Sequence, residues 1–463
     1  MRAPLALMLV PLLAGCPDRT IAGVPVVQGT VDVKDIPATP RRDVDILFLI
    51  DDSLSMVEEQ ASLKANFGRF ITVLESIQGG LPNIHIAVVT PNLGTSAIDG
   101  TKASPVGTCV SSGEGGKMRR TMGGGAFLSD IDDGHGGRTK NYAGTLTDAF
   151  NLLADVGANG CGIEQHLEAV KRALDNNPEN AGFLRPNAFL AVIVVADEDD
   201  CSLAKSTLFD GNTGDATYGD RVNFMCTREG IECDTPNTDL SVVGARTDCH
   251  PKYDSTMLTQ TDRYVEFLKK LKPDPKDVIV AGILGDTGPF EVIKKGNVSV
   301  LKQSCQYNGP TGPQFAYPGI RTRDFLDQFP DRNSHATICN EDLSRAVTQT
   351  AEVLKRAFGE PCFLTKPADA DPDADGMQYD CTVVDERHVA NRPPEELAVV
   401  PQCDATKSRI PCWHIDEDLE HCSYTNITPH LKLFVERGGV VPGPEIHVRA
   451  SCVTVPAGNG PVQ

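Results

Sequence analysis

The stretch DILFLIDDSLSM, residues 45–56, decides how the rest of the chain is read. Ile46 to Ile50 form an unbroken apolar run, too short for a membrane span and too uniform for a half-exposed strand. It reads as a central strand buried on both faces of a parallel sheet. Polar residues begin where that strand ends. Asp51, Ser53 and Ser55 alternate along the following turn, and one carboxylate with two hydroxyls at that spacing can converge on a hard divalent cation. Open α/β sheets bind their ligands beyond the carboxyl ends of the strands. The competing reading makes Ser53 or Ser55 a cap for the next helix.

Working outward, helix and strand patterns alternate. Leu63, Phe67, Phe70, Leu74 and Ile77 recur at steps of three and four and mark the apolar face of a helix, after which Ile84 to Val89 give a second strand. Leu146, Phe150 and Leu153, then Ile163 through Leu174, are helical in pattern. Phe189 to Val195 is another run buried on both faces, and it stops at Ala196, Asp197, Glu198, Asp199 and Asp200. A helix carrying Tyr264 to Leu271, a strand Val278 to Leu284 and a helix from Leu343 to Phe358 complete the series. The alternation predicts an α/β fold with a doubly wound, mainly parallel sheet over residues 43–360, with insertions near 92–142, 203–256 and 286–338.

Asp-x-Ser-x-Ser after a buried strand, together with an Asp at the end of a second such strand, resembles the metal-ion-dependent adhesion site of von Willebrand factor type A domains. The resemblance implies a metal site made of Asp51, Ser53, Ser55 and Asp197, holding Mg²⁺ (or Ca²⁺ or Mn²⁺) and offering an open position to a carboxylate from a protein or cell-surface ligand. Two departures stand out. Glu198 follows Asp197 where the pattern has Gly, and Cys161 falls where a Thr ligand is expected. A thiol is a poor ligand for Mg²⁺ or Ca²⁺, so either Glu164 reaches the ion directly or water fills the position. The resemblance also puts Cys161 and Cys201 on adjacent loops, which predicts that they pair and make the site rigid. Asp52 and Glu198 to Asp200 could saturate the ion or cap a helix instead.

Composition narrows the class. A formal charge of -20 over 463 residues disfavours nucleic acid as a partner, since binding it needs a basic surface. Residues 1–15 read as a signal peptide: Arg2 is followed by an apolar run too short to span a bilayer. Leu13, Ala14, Gly15, Cys16 resembles a bacterial lipobox, with lipidation at Cys16; an ordinary secretory signal is the alternative. Pro17 after the cysteine lacks the inner-membrane retention cue, which points to the outer membrane. Residues 16–42 read as a tether. Fifteen cysteines suit an oxidising compartment, and setting Cys16 aside leaves an even number for disulfides. They divide into a group from Cys109 to Cys339 and a group from Cys362 to Cys452, so residues 361–463 read as a separate cysteine-rich module. No Cys-x-x-Cys pair supports zinc.

Other acidic and histidine positions carry less. Asp369, Asp371, Asp373, Asp375 and Gly376 look like the start of a calcium loop, but the twelfth position from Asp371 is Thr382, not Glu, so the segment reads as a solvated acidic linker. His135, His166, His250 and His335 are scattered and read as surface or satisfied residues. The expected function is a non-catalytic, lipid-anchored envelope protein that binds a ligand through a cation. The rivals are a structural envelope protein without a functional metal, and a metal-dependent hydrolase, which would place histidines or extra carboxylates around Asp51 and Asp197.

Overall fold

The computed structural model describes residues 30–454 except 39–41, 78–79, 210–217, 237–238, 241, 297, 360, 372–376, 390–391, 405, 423–424, 426, 441 and 444. Cys16, the signal segment, Asp373, Asp375 and Gly376 lie outside the described residues. Strand β1 (Thr30–Pro37) precedes the organising strand β2 (Asp43–Ile50), which leads into α1 (Val57–Glu75) and β3 (Asn83–Val89). A short antiparallel pair, β4 (Leu128–Asp132) and β5 (Arg138–Lys140), precedes helices α2 (Leu146–Leu153) and α3 (His166–Leu174) and strand β6 (Phe189–Ala196).

Continuous apolar character places β2 at the centre of a seven-stranded sheet. It runs parallel to β3 on one side, with Ile46 opposite Ile86, and parallel to β6 on the other, with Ile46 opposite Ala191. Beyond β6 lie β9 (Val278–Leu284) and the edge strand β14 (Asn333–Thr337), both parallel to their neighbours. Beyond β3 the pairing turns antiparallel through β4 and β5. Successive β2 side chains point to opposite faces. Ile46, Phe48 and Ile50 pack with Phe67, Phe70 and Phe150 of α1 and α2 and with α7 (Ser344–Ala357), and the Phe67 and Phe150 rings stack 3.5 Å apart. Leu47 and Leu49 pack with Leu167 and Val170 of α3 and with residues of α5 (Thr261–Lys270) and α6 (Ile320–Asp327).

The expected fold class needs correction. Among the described residues, strands are spread over five sheets, and ten of the fourteen strand pairings are antiparallel. Parallel pairing is confined to five strands of one mixed sheet, so a doubly wound, mainly parallel sheet does not describe the chain. Sequence pattern finds long apolar runs and misses short strands that are polar on one or both faces. Apart from β1, the missed strands sit in the insertions and the tail. After the helix α4 (Tyr218–Gly230), β7 (Ile231–Thr235) pairs with β8 (Gly244–Pro251); β10 (Phe290–Lys295) pairs with β8 and β11 (Val298–Leu301); β12 (Cys305–Gly309) pairs with β13 (Gly312–Ala316). The segment 286–338 is also less of an insertion than expected, because α6 and β14 belong to the central layers.

The tail has its own core. β15 (Cys381–Arg387), β16 (Glu395–Val400) and β19 (Ile446–Thr454) form a sheet beside the hairpin β17 (Cys412–Glu417) and β18 (Leu431–Glu436), around Phe363, Val383, Trp413, Leu433 and Ala450. β1 completes that sheet by pairing with β19 from Thr30↔Thr454 to Pro37↔His447. Residues 30–37 are therefore a strand and not a tether. Lys34 is buried there, its Nζ donating to Cys362 O at 2.6 Å.

Disulfides follow the expected division into two groups. Cys109–Cys161, Cys201–Cys226, Cys233–Cys249 and Cys305–Cys339 close the first, and Cys362–Cys422, Cys381–Cys452 and Cys403–Cys412 the second. The expected Cys161–Cys201 bridge is wrong. Both cysteines do lie in one small apolar cluster, but the first insertion brings Cys109 to Cys161 and α4 brings Cys226 to Cys201.

Candidate metal centre

Three loops meet beyond the carboxyl ends of β2 and β6. The first leaves β2 at Asp51, whose N–H donates to Val195 O at 3.0 Å and so ties it to β6. Ser53 N–H donates to Asp51 Oδ1 at 2.7 Å, and the Ser53 and Ser55 hydroxyls lie 2.9 Å apart. Ser53 stands at the N-cap of the helical turn Leu54–Met56 but makes no side-chain capping hydrogen bond. Gln60 Nε2 donates to Asp51 O and Gly157 O, which stitches the first loop to the second.

The second loop runs into α3. Gly160 N–H donates to Asp52 O at 2.7 Å, and a Cβ at Gly160 would lie 2.2 Å from Asp52 Oδ1, so the close approach requires glycine there. Glu164 O accepts from Cys201 N–H at 2.8 Å, joining this loop to the third. The Glu164 and His166 side chains are both buried. One ligand atom from each of Asp51, Glu164 and His166 lies within 4.8 Å of the others. From the third loop, Asp197 is held by its backbone, Tyr317 N–H donating to Asp197 O at 2.8 Å, while its side chain engages Ser55 and feels the charge of Asp51.

What the side chains lack is a donor. Asp51 Oδ2, both Glu164 carboxylate oxygens and Asp197 Oδ1 are buried without a hydrogen-bond partner, as are both ring nitrogens of His166. Burial first, then the charge of Asp51, pushes the Glu164 and Asp197 carboxyls well above the usual carboxylate range. Burial together with Asp51 and Glu114 pushes Asp52 up to about 7. Glu59, in the first turn of α1, is raised by burial as well; its Oε1 accepts from Tyr307 OH at 2.9 Å and its Oε2 has no partner. Carboxylates packed this closely repel one another unless protons or a cation intervene. A donor set of hard oxygens plus one imidazole fits a divalent metal ion.

Asp51, Ser53, Ser55 and Asp197 thus lie together beyond the strand ends, and Glu164 is buried beside Asp51. The rest of the acidic run does something else. Asp199 accepts from Arg321 N–H at 2.8 Å and Thr322 N–H at 3.0 Å, capping α6. Asp200 accepts from Leu167 N–H at 3.0 Å at the start of α3 and from Arg321 Nη2 at 3.0 Å. These are cap and ion-pair roles.

Sequence reasoning missed His166 and Glu59. His166 had been set among scattered, satisfied histidines, and the structure buries it beside Glu164 with Nε2 3.6 Å from Oε2. Its position two residues from Glu164 was the available signal. Glu59 carried none, since an acid in a first helical turn is ordinary.

No protein-family model matches this chain, and no curated protein matches it. Solved structures that it resembles include proximal thread matrix protein 1 from the mussel byssus (10% identity, 68% of this chain and 49% of that one, TM-score 0.27). Others are the pilus adhesin RrgA from Streptococcus pneumoniae (13% identity, 93% and 58%, TM-score 0.21) and the human COPII-coat protein Sec24c (7% identity, 90% and 44%, TM-score 0.32). The chain spans about half the length of each. At these scores the likenesses carry no argument about fold or function.

Proposed function

We propose that this chain is an exported, lipid-anchored envelope protein that binds a protein or cell-surface ligand through a divalent cation. One observation carries the reading: the carboxylates of Asp51, Glu164 and Asp197 are buried together with oxygens that meet no donor, which is costly unless protons or a cation intervene, and a cation relieves all three at once. A bound ion supplies the missing positive charge and a coordination position for a partner's oxygen. Ser53 and Ser55 are half-buried and Leu54 is exposed, so approach from solvent is on their side. Export draws support from seven disulfides, which suit an oxidising compartment, and the anchor from the Leu13–Cys16 pattern.

Glu164 changes the expected ligand chemistry. Three carboxylates outweigh the two charges of the ion, so a partner's carboxylate gains less than it would beside hydroxyl ligands alone. Glu164 and His166 also favour the hydrolase reading.

Water-proton relaxation with Mn²⁺ tests the proposal. Bound Mn²⁺ that keeps at least one exchangeable water has the open position a ligand needs, and Asp51→Ala abolishes that signal. Mn²⁺ bound with no exchangeable water would make the site a closed structural one, and no binding at all would favour a structural envelope protein.

A further inference from the structure

His166 opens α3 as its first residue and is fully buried, so its presence beside two acids, Asp51 and Glu164, is not a surface accident. Neither ring nitrogen has a hydrogen-bond partner, and its ligand atom lies within 4.8 Å of those of both Asp51 and Glu164. An enclosed imidazole with no partner at either nitrogen is as unusual as an enclosed carboxylate with none. One site answers both needs. Resting on the cation reading above, we propose that His166 is itself a ligand, and that the resident ion is a first-row transition-metal dication and not Mg²⁺ or Ca²⁺.

Mg²⁺ and Ca²⁺ bind oxygen almost exclusively, and a site built for them gains nothing from a neutral nitrogen in its wall. Imidazole suits the later first-row ions from Fe²⁺ to Zn²⁺, and a mixed carboxylate and imidazole set is common for such ions. The Ser53 and Ser55 hydroxyls remain on the solvent side as the weaker, exchangeable part of the shell. The competing role for His166 is an imidazolium paired with Glu164 across their 3.6 Å separation.

Tighter binding of Co²⁺ than of Mg²⁺ does not by itself test this, because affinity rises along the first row at almost any site. The dependence on His166 does. The full-length mature protein, stripped with chelator, is titrated with Co²⁺ and separately with Mg²⁺, and the visible spectrum of bound Co²⁺ is recorded. The expected result is that His166→Gln weakens Co²⁺ binding at least tenfold and shifts its absorption bands, while Mg²⁺ affinity changes less than about twofold. Retained Mg²⁺ binding also shows that the variant is folded.

Unchanged Co²⁺ affinity and spectrum in His166→Gln overturn the proposal and leave the cation site intact. Equal loss of Co²⁺ and Mg²⁺ overturns it too, because His166 would then position Glu164 without touching the ion. Failure of wild type to bind either ion removes the underlying site along with the proposal.

Discussion

Two buried carboxylates on one strand have opposite surroundings. Asp45, near the start of β2, receives Arg185 N–H at 2.6 Å and Arg185 Nε at 2.7 Å, with Lys272 Nζ 3.7 Å away. Asp51, just past the other end, has an oxygen with no partner and two more acids beside it. The chain supplies its own cations to Asp45 at the amino end, whereas among the described residues no lysine or arginine pairs with Asp51, Glu164 or Asp197 at the carboxyl end. Burial therefore does not distinguish a structural carboxylate from a functional one; the identity of its counter-charge does.

The sharpest way to break this comparison is to neutralise each end. Asp45→Ala leaves the half-buried Arg185 and the buried Lys272 without their carboxylate and is expected to cost about 3–5 kcal/mol, read as a lowered denaturation midpoint. Asp51→Asn in chelator is expected to cost nothing or to stabilise, since it removes repulsion with Glu164 and Asp197. Equal destabilisation by the two would erase the distinction.

Cation addition gives the next largest effect. Mn²⁺ at a hundred times its dissociation constant is expected to add about 2.7 kcal/mol to wild type and nothing to Asp51→Asn, as followed by thermal unfolding. Asp199→Ala sharpens the boundary of the site. It removes the cap of α6, so a loss of about 1 kcal/mol is expected with cation affinity unchanged; a large loss of affinity would make Asp199 a ligand.

The smallest effect concerns pH and the junction of the tail with the central domain. Asp35 of β1 accepts from His447 Nδ1 at 2.7 Å and Lys276 Nζ at 2.9 Å, and His388 lies against Asp274 and Glu386, with Arg332 and Arg449 nearby. The hydrogen bond to Asp274 lifts the pKa of His388 above its ordinary value, so its contribution is full below about pH 6.5 and fades as pH rises through the lifted value. Burial raises Asp35 and Asp274, but their basic partners more than offset it and hold both below the usual range. Their contribution is full above about pH 4 and is lost as pH falls through the lowered values. Protection of the β1 and β19 amides, taken relative to the base-catalysed intrinsic exchange rate at each pH, is expected to be highest between those limits; lower protection at pH 5.5 than at pH 8.5 would refute the assignment.

How much of this was legible in sequence follows from the same physics. β2, β6 and β9 could be read because strands buried on both faces are continuous apolar runs. β14, Asn-Ser-His-Ala-Thr, could not, since an edge strand needs no such run. The pairing of β1 with β19 joins the two ends of the described chain and leaves no local signal. Asp51 and Asp197 stood out because each follows an apolar run. His166 did not, because only tertiary packing shows that an imidazole is enclosed without a partner. The Cys161 and Cys201 loops were rightly placed close together, but their partners came from insertions whose path no periodicity encodes.

Anomalous diffraction from a crystal soaked in Mn²⁺ addresses the central claim directly. The account predicts one strong peak among the side chains of Asp51, Glu164 and Asp197, absent in Asp51→Asn. An empty cluster with a strong peak elsewhere, or no peak in the wild type, would contradict it.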